Sequence, residues 1–127
     1  MKLSRGEGVR VAIVDSGIDA RHPSLAAGVQ GYVAIRLSEC SGEFVSDEGV
    51  HTDEAGHGTS CAVLVRGLAP GCELYSVKVL GPRCLGRAGA LMAGMRWAVD
   101  NGMHVCNLSL GTVRAEHAGA MRAIAAW

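Results

Sequence analysis

Val9-Arg10-Val11-Ala12-Ile13-Val14-Asp15-Ser16-Gly17-Ile18-Asp19 is an apolar run that breaks off in a carboxylate, a hydroxyl and a glycine. Its β-branched residues suit a pleat covered on both faces, so the run reads as a buried strand. In open α/β sheets chemistry gathers just beyond the carboxyl ends of the strands, which is where Asp15 falls. Asp15 is therefore a candidate functional carboxylate. The same Asp-Ser-Gly also suits a plain turn or helix cap, because Asp and Ser accept from orphan backbone donors and Gly takes positive φ. The strand alone leaves both readings open.

Downstream, His22-Pro23-Ser24-Leu25 is a turn, since proline fixes its own φ and restricts its predecessor. Residues 31–35, Gly-Tyr-Val-Ala-Ile, form a plausible second strand, and the polar residues 36–56 fit a surface loop. Gly56-His57-Gly58-Thr59 leads into Ser60-Cys61-Ala62-Val63-Leu64-Val65, a small apolar segment that predicts a buried helix opening at the histidine. Residues 67–71 are a turn and Leu74–Leu80 the next strand. After a loop at Gly81–Gly86, Leu91, Met92, Met95, Ala98 and Val99 recur at helical spacing, and Asn101-Gly102 ends that helix. A strand over residues 105–111 and an amphipathic helix over 115–127 close the chain. Strands alternating with helices predict a three-layer α/β fold, a mostly parallel sheet with helices on both faces.

Twelve basic residues balance twelve acidic ones and aromatic content is 4%, so neither the charge nor the stacking surface of a nucleic-acid binder is present. No segment approaches a membrane span, and no apolar leader precedes the first strand, which predicts a cytoplasmic protein. Cys40, Cys61, Cys72, Cys84 and Cys106 are odd in number and lack a Cys-x-x-Cys pair, which argues against a disulfide framework or zinc knuckle. Most of them are expected to be small buried thiols.

Five segments, taken in order, resemble a known family. They are Val11-Ala-Ile-Val-Asp15-Ser-Gly-Ile-Asp19 with His22-Pro23, Gly56-His57-Gly58-Thr59, Gly67-Leu-Ala-Pro70, Leu74-Tyr-Ser-Val-Lys-Val-Leu80, and Asn107-Leu-Ser-Leu-Gly111. Together they are similar to the amino-terminal half of the subtilisin-like serine proteases, a resemblance that covers nearly the whole chain. It implies that Asp15 orients and stabilises an imidazolium and that His57 is general base and then acid. It also implies that Leu108-Ser109-Leu110-Gly111 lines the primary specificity pocket, and that Leu85-Gly86-Arg87 pairs with substrate backbone from the opposite side. The bland reading of both stretches is strand end and loop.

The resemblance stops short of two elements of the family, the oxyanion-hole asparagine and the nucleophile in its Gly-Thr-Ser-Met-Ala motif. The expectation is a partial peptidase domain, inactive alone because triad members act as a unit. Ser60 follows the histidine on one helix, yet is not expected to aim at a substrate pocket. The segment between His57 and Leu68 is short and omits the loop that supplies a calcium site in relatives, so no metal or other cofactor is expected. His51, Asp53, Glu54 and His57 have metal-ligand chemistry without a metal-site spacing, and a solvated acidic loop accounts for them. Gly81–Ala88 nearly matches a phosphate-binding loop, but Arg87 and Ala88 replace its lysine and hydroxyl and Pro82 lacks an amide donor. The expected partners are a peptide or protein substrate and, through a bare edge on the last strand, a complementing carboxyl-terminal half or a second copy. The rival expectation is a pseudoprotease that binds extended peptides without cleaving them.

Overall fold

The computed structural model describes residues 4–109 and 122–124. Five strands form one sheet: β1 (Arg10–Asp15), β2 (Gly31–Leu37), β3 (Phe44–Asp47), β4 (Glu73–Lys78) and β5 (Val105–Asn107). Among the described residues two helices, α1 (His57–Leu68) and α2 (Ala88–Asp100), and one 3-10 turn at Pro23–Leu25 join them. The strand order is β3-β2-β4-β1-β5, parallel throughout except for β3, which runs antiparallel beside β2.

Strand alternation separates two cores. Val11 and Ile13 point to one face, where they meet Ile18, Leu25, Leu74 and Ala62 of α1. Ala12 and Val14 point to the other, against Val33, Val77 and the α2 residues Ala90, Leu91, Met95 and Ala98. The central strand is thus covered on both faces, as a three-layer α/β fold requires. Full burial of a residue such as Ile13 contributes about 1.5–3 kcal/mol.

Several expectations are corrected. The stretch read as loop over 36–56 contains β3, whose Phe44 and Val45 pair with Leu37 and Arg36 and whose Ser46 and Asp47 are exposed. A short, half-polar edge strand leaves little periodic signal. Helix α1 is not buried throughout: Gly58, Thr59 and Ala62 face the core, while Leu64 and Leu68 are 70% and 86% exposed. It also runs through Leu68, two residues into the expected turn. Of the five thiols, all free, Cys72 alone is buried, Cys61 is intermediate, and Cys40, Cys84 and Cys106 are exposed. Most of the last expected helix, together with Leu110 and Gly111, lies outside the described residues. Residues 122–124 are helical, and Ile124 packs into the α2 core.

Candidate active site

Chain topology alone brings most of the predicted residues to one rim. Strands β4, β1 and β5 are adjacent and parallel, so their carboxyl ends open on the same side. Asp15 ends the middle strand. Leu85-Gly86-Arg87 follow β4, and Leu108-Ser109 follow β5, one segment to each side of Asp15. The chain turns to β2 and β4 on one side of β1 and crosses by α2 to β5 on the other, the switch point at which such sheets place their ligands.

Asp15 is fully buried, and both of its oxygens are used. His57 Nδ1 donates to Oδ1 and Oδ2, 2.9 Å from each, and the Ser16 amide donates to Oδ1 at 2.7 Å. The backbone carbonyl of Asp15 accepts from Val79 and Leu80, anchoring the strand end in the sheet. The imidazole itself is 46% exposed. In the neutral tautomer whose Nδ1 proton faces Asp15, the lone pair is on Nε2, the nitrogen a general base uses.

His57 reaches Asp15 because α1 begins close against the exit of β1. A Cβ on Gly58 would collide with the Gly17 carbonyl and lie 3.1 Å from Asp15 Cβ. Gly17 takes φ of 113°, and a Cβ there would stand 2.5 Å from the Thr52 carbonyl. Both positions therefore require glycine.

Asp53, an acidic-loop residue in the sequence, bonds the start of α1 and the exit of β1. It accepts from Gly56 N, Thr59 N and Oγ1, and Ser16 Oγ, between 2.6 and 2.9 Å. His51 turns elsewhere, onto the Ser76 hydroxyl at 2.7 Å. The expected solvated loop is thus corrected: Glu54 is exposed, but His51 and Asp53 are half-buried and bonded into the fold at two different places. No local pattern pointed to Asp53, whose partners come from two segments, the exit of β1 and the start of α1.

The Cys61 thiol lies 3.8 Å from Asp15 Oδ2, and ligand atoms of Asp15, His57 and Cys61 lie within 4.8 Å of one another. A cation held by this trio would take Nδ1 of His57, so it would displace the bond to Asp15; metal binding and acid–base use exclude each other here. Ser60 donates its hydroxyl to the Gly56 carbonyl at 3.0 Å, within its own helix turn.

The flanking segments have open surfaces. Leu85 is 72% exposed, and Gly86 lies so close to the chain leaving β4 that a Cβ would meet the Val79 carbonyl at 2.5 Å. Arg87 is extended and occupies the N-cap position of α2 without a side-chain capping bond. Leu108 is 38% exposed, and Ser109 accepts from the Asn107 side chain at 3.0 Å. Leu110 and Gly111 are outside the described residues.

Known proteins similar to this chain fall in one family. Subtilisin Savinase of Lederbergia lenta is 40% identical over 116 residues, covering 84% of this chain and 39% of its own length. Subtilisin DY of Bacillus licheniformis is 38% identical, with 84% and 38% covered. The chain thus spans less than two fifths of the length of these relatives. A solved lanthipeptide protease superposes with a TM-score of 0.72 at 31% identity, covering 95% of this chain and 35% of the other. The profile of the Subtilase family matches residues 6–126, the whole span on which the strand-end carboxylate and helix-start imidazole are built, and the chain belongs to that family.

Proposed function

We propose that this chain supplies the aspartate and histidine of a serine endopeptidase, with Asp15 orienting His57 and His57 moving the proton. The observation that carries the reading is the 2.9 Å contact of His57 Nδ1 with a fully buried Asp15 at the switch point of the sheet. In the reaction so envisaged, Nε2 takes the proton of a serine hydroxyl as it attacks the scissile carbonyl, then delivers it to the leaving amine. The resulting acyl-enzyme is hydrolysed by water through the same nitrogen. Within these 127 residues no serine stands in the family's nucleophile motif. The hydroxyl and the oxyanion donor are therefore assigned to further polypeptide, and these residues alone are expected to be inactive.

Leu85-Gly86-Arg87 and Leu108-Ser109-Leu110-Gly111 are proposed to hold an extended peptide between them. Main-chain bonds would give affinity and alternate side-chain pockets selectivity. Five free thiols, three of them exposed, support a reducing, cytoplasmic setting.

The test is a fluorophosphonate probe, applied to the chain alone and then mixed with the carboxyl-terminal part of a related subtilase. No labelling alone, and labelling of the added serine that needs intact His57, is the expected result. D15N in the mixture is expected to slow labelling by about 10⁴-fold, the order found when a triad aspartate becomes asparagine and the imidazole takes the wrong tautomer. Labelling of the chain alone that vanishes in S60A would overturn the missing-nucleophile reading. Silence in both arms with retained peptide binding would favour the pseudoprotease.

A further inference from the structure

We propose that Asp53 is a positioning residue for the Asp15–His57 pair, holding in register the strand exit and the helix start that carry it; this rests on the acid–base reading of that pair. The geometry is a crossed link. Ser16, next to Asp15, donates its hydroxyl to Asp53 Oδ1 at 2.8 Å and accepts the amide of Gly58 at 3.0 Å. Thr59, two residues beyond His57, donates its hydroxyl to Asp53 Oδ2 at 2.6 Å and accepts the amide of Asp19 at 2.9 Å. Each hydroxyl has a single proton, and an ionised carboxylate can only accept. Asp53 therefore commits both protons to itself and leaves each oxygen free to take an amide from the opposite segment.

The same carboxylate also accepts from the amides of Gly56 and Thr59, each at 2.9 Å. The amides of both neighbours of His57, Gly56 and Gly58, thus end in this unit, one on Asp53 and one on Ser16. Burial pushes the Asp53 carboxyl up, but the bonds from Thr59, Ser16 and Gly56 outweigh it and hold it below its ordinary 3.8. An asparagine cannot take over this role. Every atom facing Asp53 is a donor, so its NH2 would confront at least one of them and force a hydroxyl to reverse.

The readout is exchange of the His57 Nδ1 proton with water, followed by NMR in the 15N-labelled chain. D53N is expected to accelerate it by at least about tenfold while the amides of β1 and β4 stay protected, a separation that general loss of stability does not produce. Exchange at the parent rate in folded D53N overturns the proposal, as does a proton that is already unprotected in the parent. If D53N does not fold, S16A, which leaves the bonds of Asp53 to Gly56 and Thr59 intact, is read the same way: faster exchange supports the proposal and unchanged exchange overturns it. Probe labelling of the complemented enzyme tests the protease reading separately. Silence there beside faster exchange in D53N overturns that reading and leaves the positioning role in place.

Discussion

His51 shows how far a single side chain departs from what its neighbours in sequence imply. Its Nε2 meets the hydroxyl of buried Ser76 at 2.7 Å, its ring stands edge-on to Tyr32 at 5.2 Å, and Nδ1 is buried without a hydrogen-bond partner. Burial lowers its pKa below the ordinary 6.5, Lys78 lowers it further, and Asp47 and Asp53 oppose both. The folded chain then binds the proton less readily than the unfolded one. Stability is full above the ordinary value and falls as pH drops below it, until the folded imidazole protonates. Urea midpoints are expected to fall between about pH 7 and about pH 5, and the fall should be smaller in H51Q, whose amide can still reach Ser76 without titrating. An identical pH slope in the two proteins would refute this account.

At the scale of elements, close approach rather than propensity sets the design. Helix α2 packs on the sheet through Gly94, where a Cβ would lie 2.7 Å from Val79 Cγ1 and 3.2–3.3 Å from the Cγ1 atoms of Val77 and Val14. Alanine is the better helix former by about 1 kcal/mol, yet G94A is expected to destabilise by about 1–3 kcal/mol because these β-branched neighbours cannot move aside. A denaturation midpoint equal to or above that of the parent would show that the helix shifts freely. The helices themselves were legible, since α2 carries its apolar stripe and α1 begins at its Gly-His-Gly-Thr. Strand β3 was not, because its pairing with β2 lies outside its own four residues.

For the whole molecule, the decisive feature is where the sheet ends. Among the described residues β5 pairs with β1 alone, and Val105 and Leu108 beside that edge are 48% and 38% exposed. A strand edge with apolar neighbours invites another strand. The isolated chain is expected to self-associate with rising concentration in light scattering, and V105K, which places a charge at the edge, to reduce that association. Concentration-independent monomers in the parent would remove the edge from consideration. Added carboxyl-terminal polypeptide is expected to compete with self-association for the same edge.

What the amino-acid sequence determined by itself was the alternation of strands and helices, the subtilase resemblance, and the pair Asp15 and His57. Each rests on local pattern: β-branched runs, helical spacing, and short motifs in a given order. What only the tertiary structure decided was how those residues are held. The bond between Asp15 and His57 joins positions 42 apart, and the link from Asp53 to Ser16 spans 37. Such contacts exist because β1 lies between β4 and β5 and α1 starts against its end, a consequence of sheet order that leaves no trace in neighbouring residues. For the same reason Cys40, Cys84 and Cys106 are exposed although most of the five cysteines were expected to be buried. Burial is a property of the packed layers, not of the residue type.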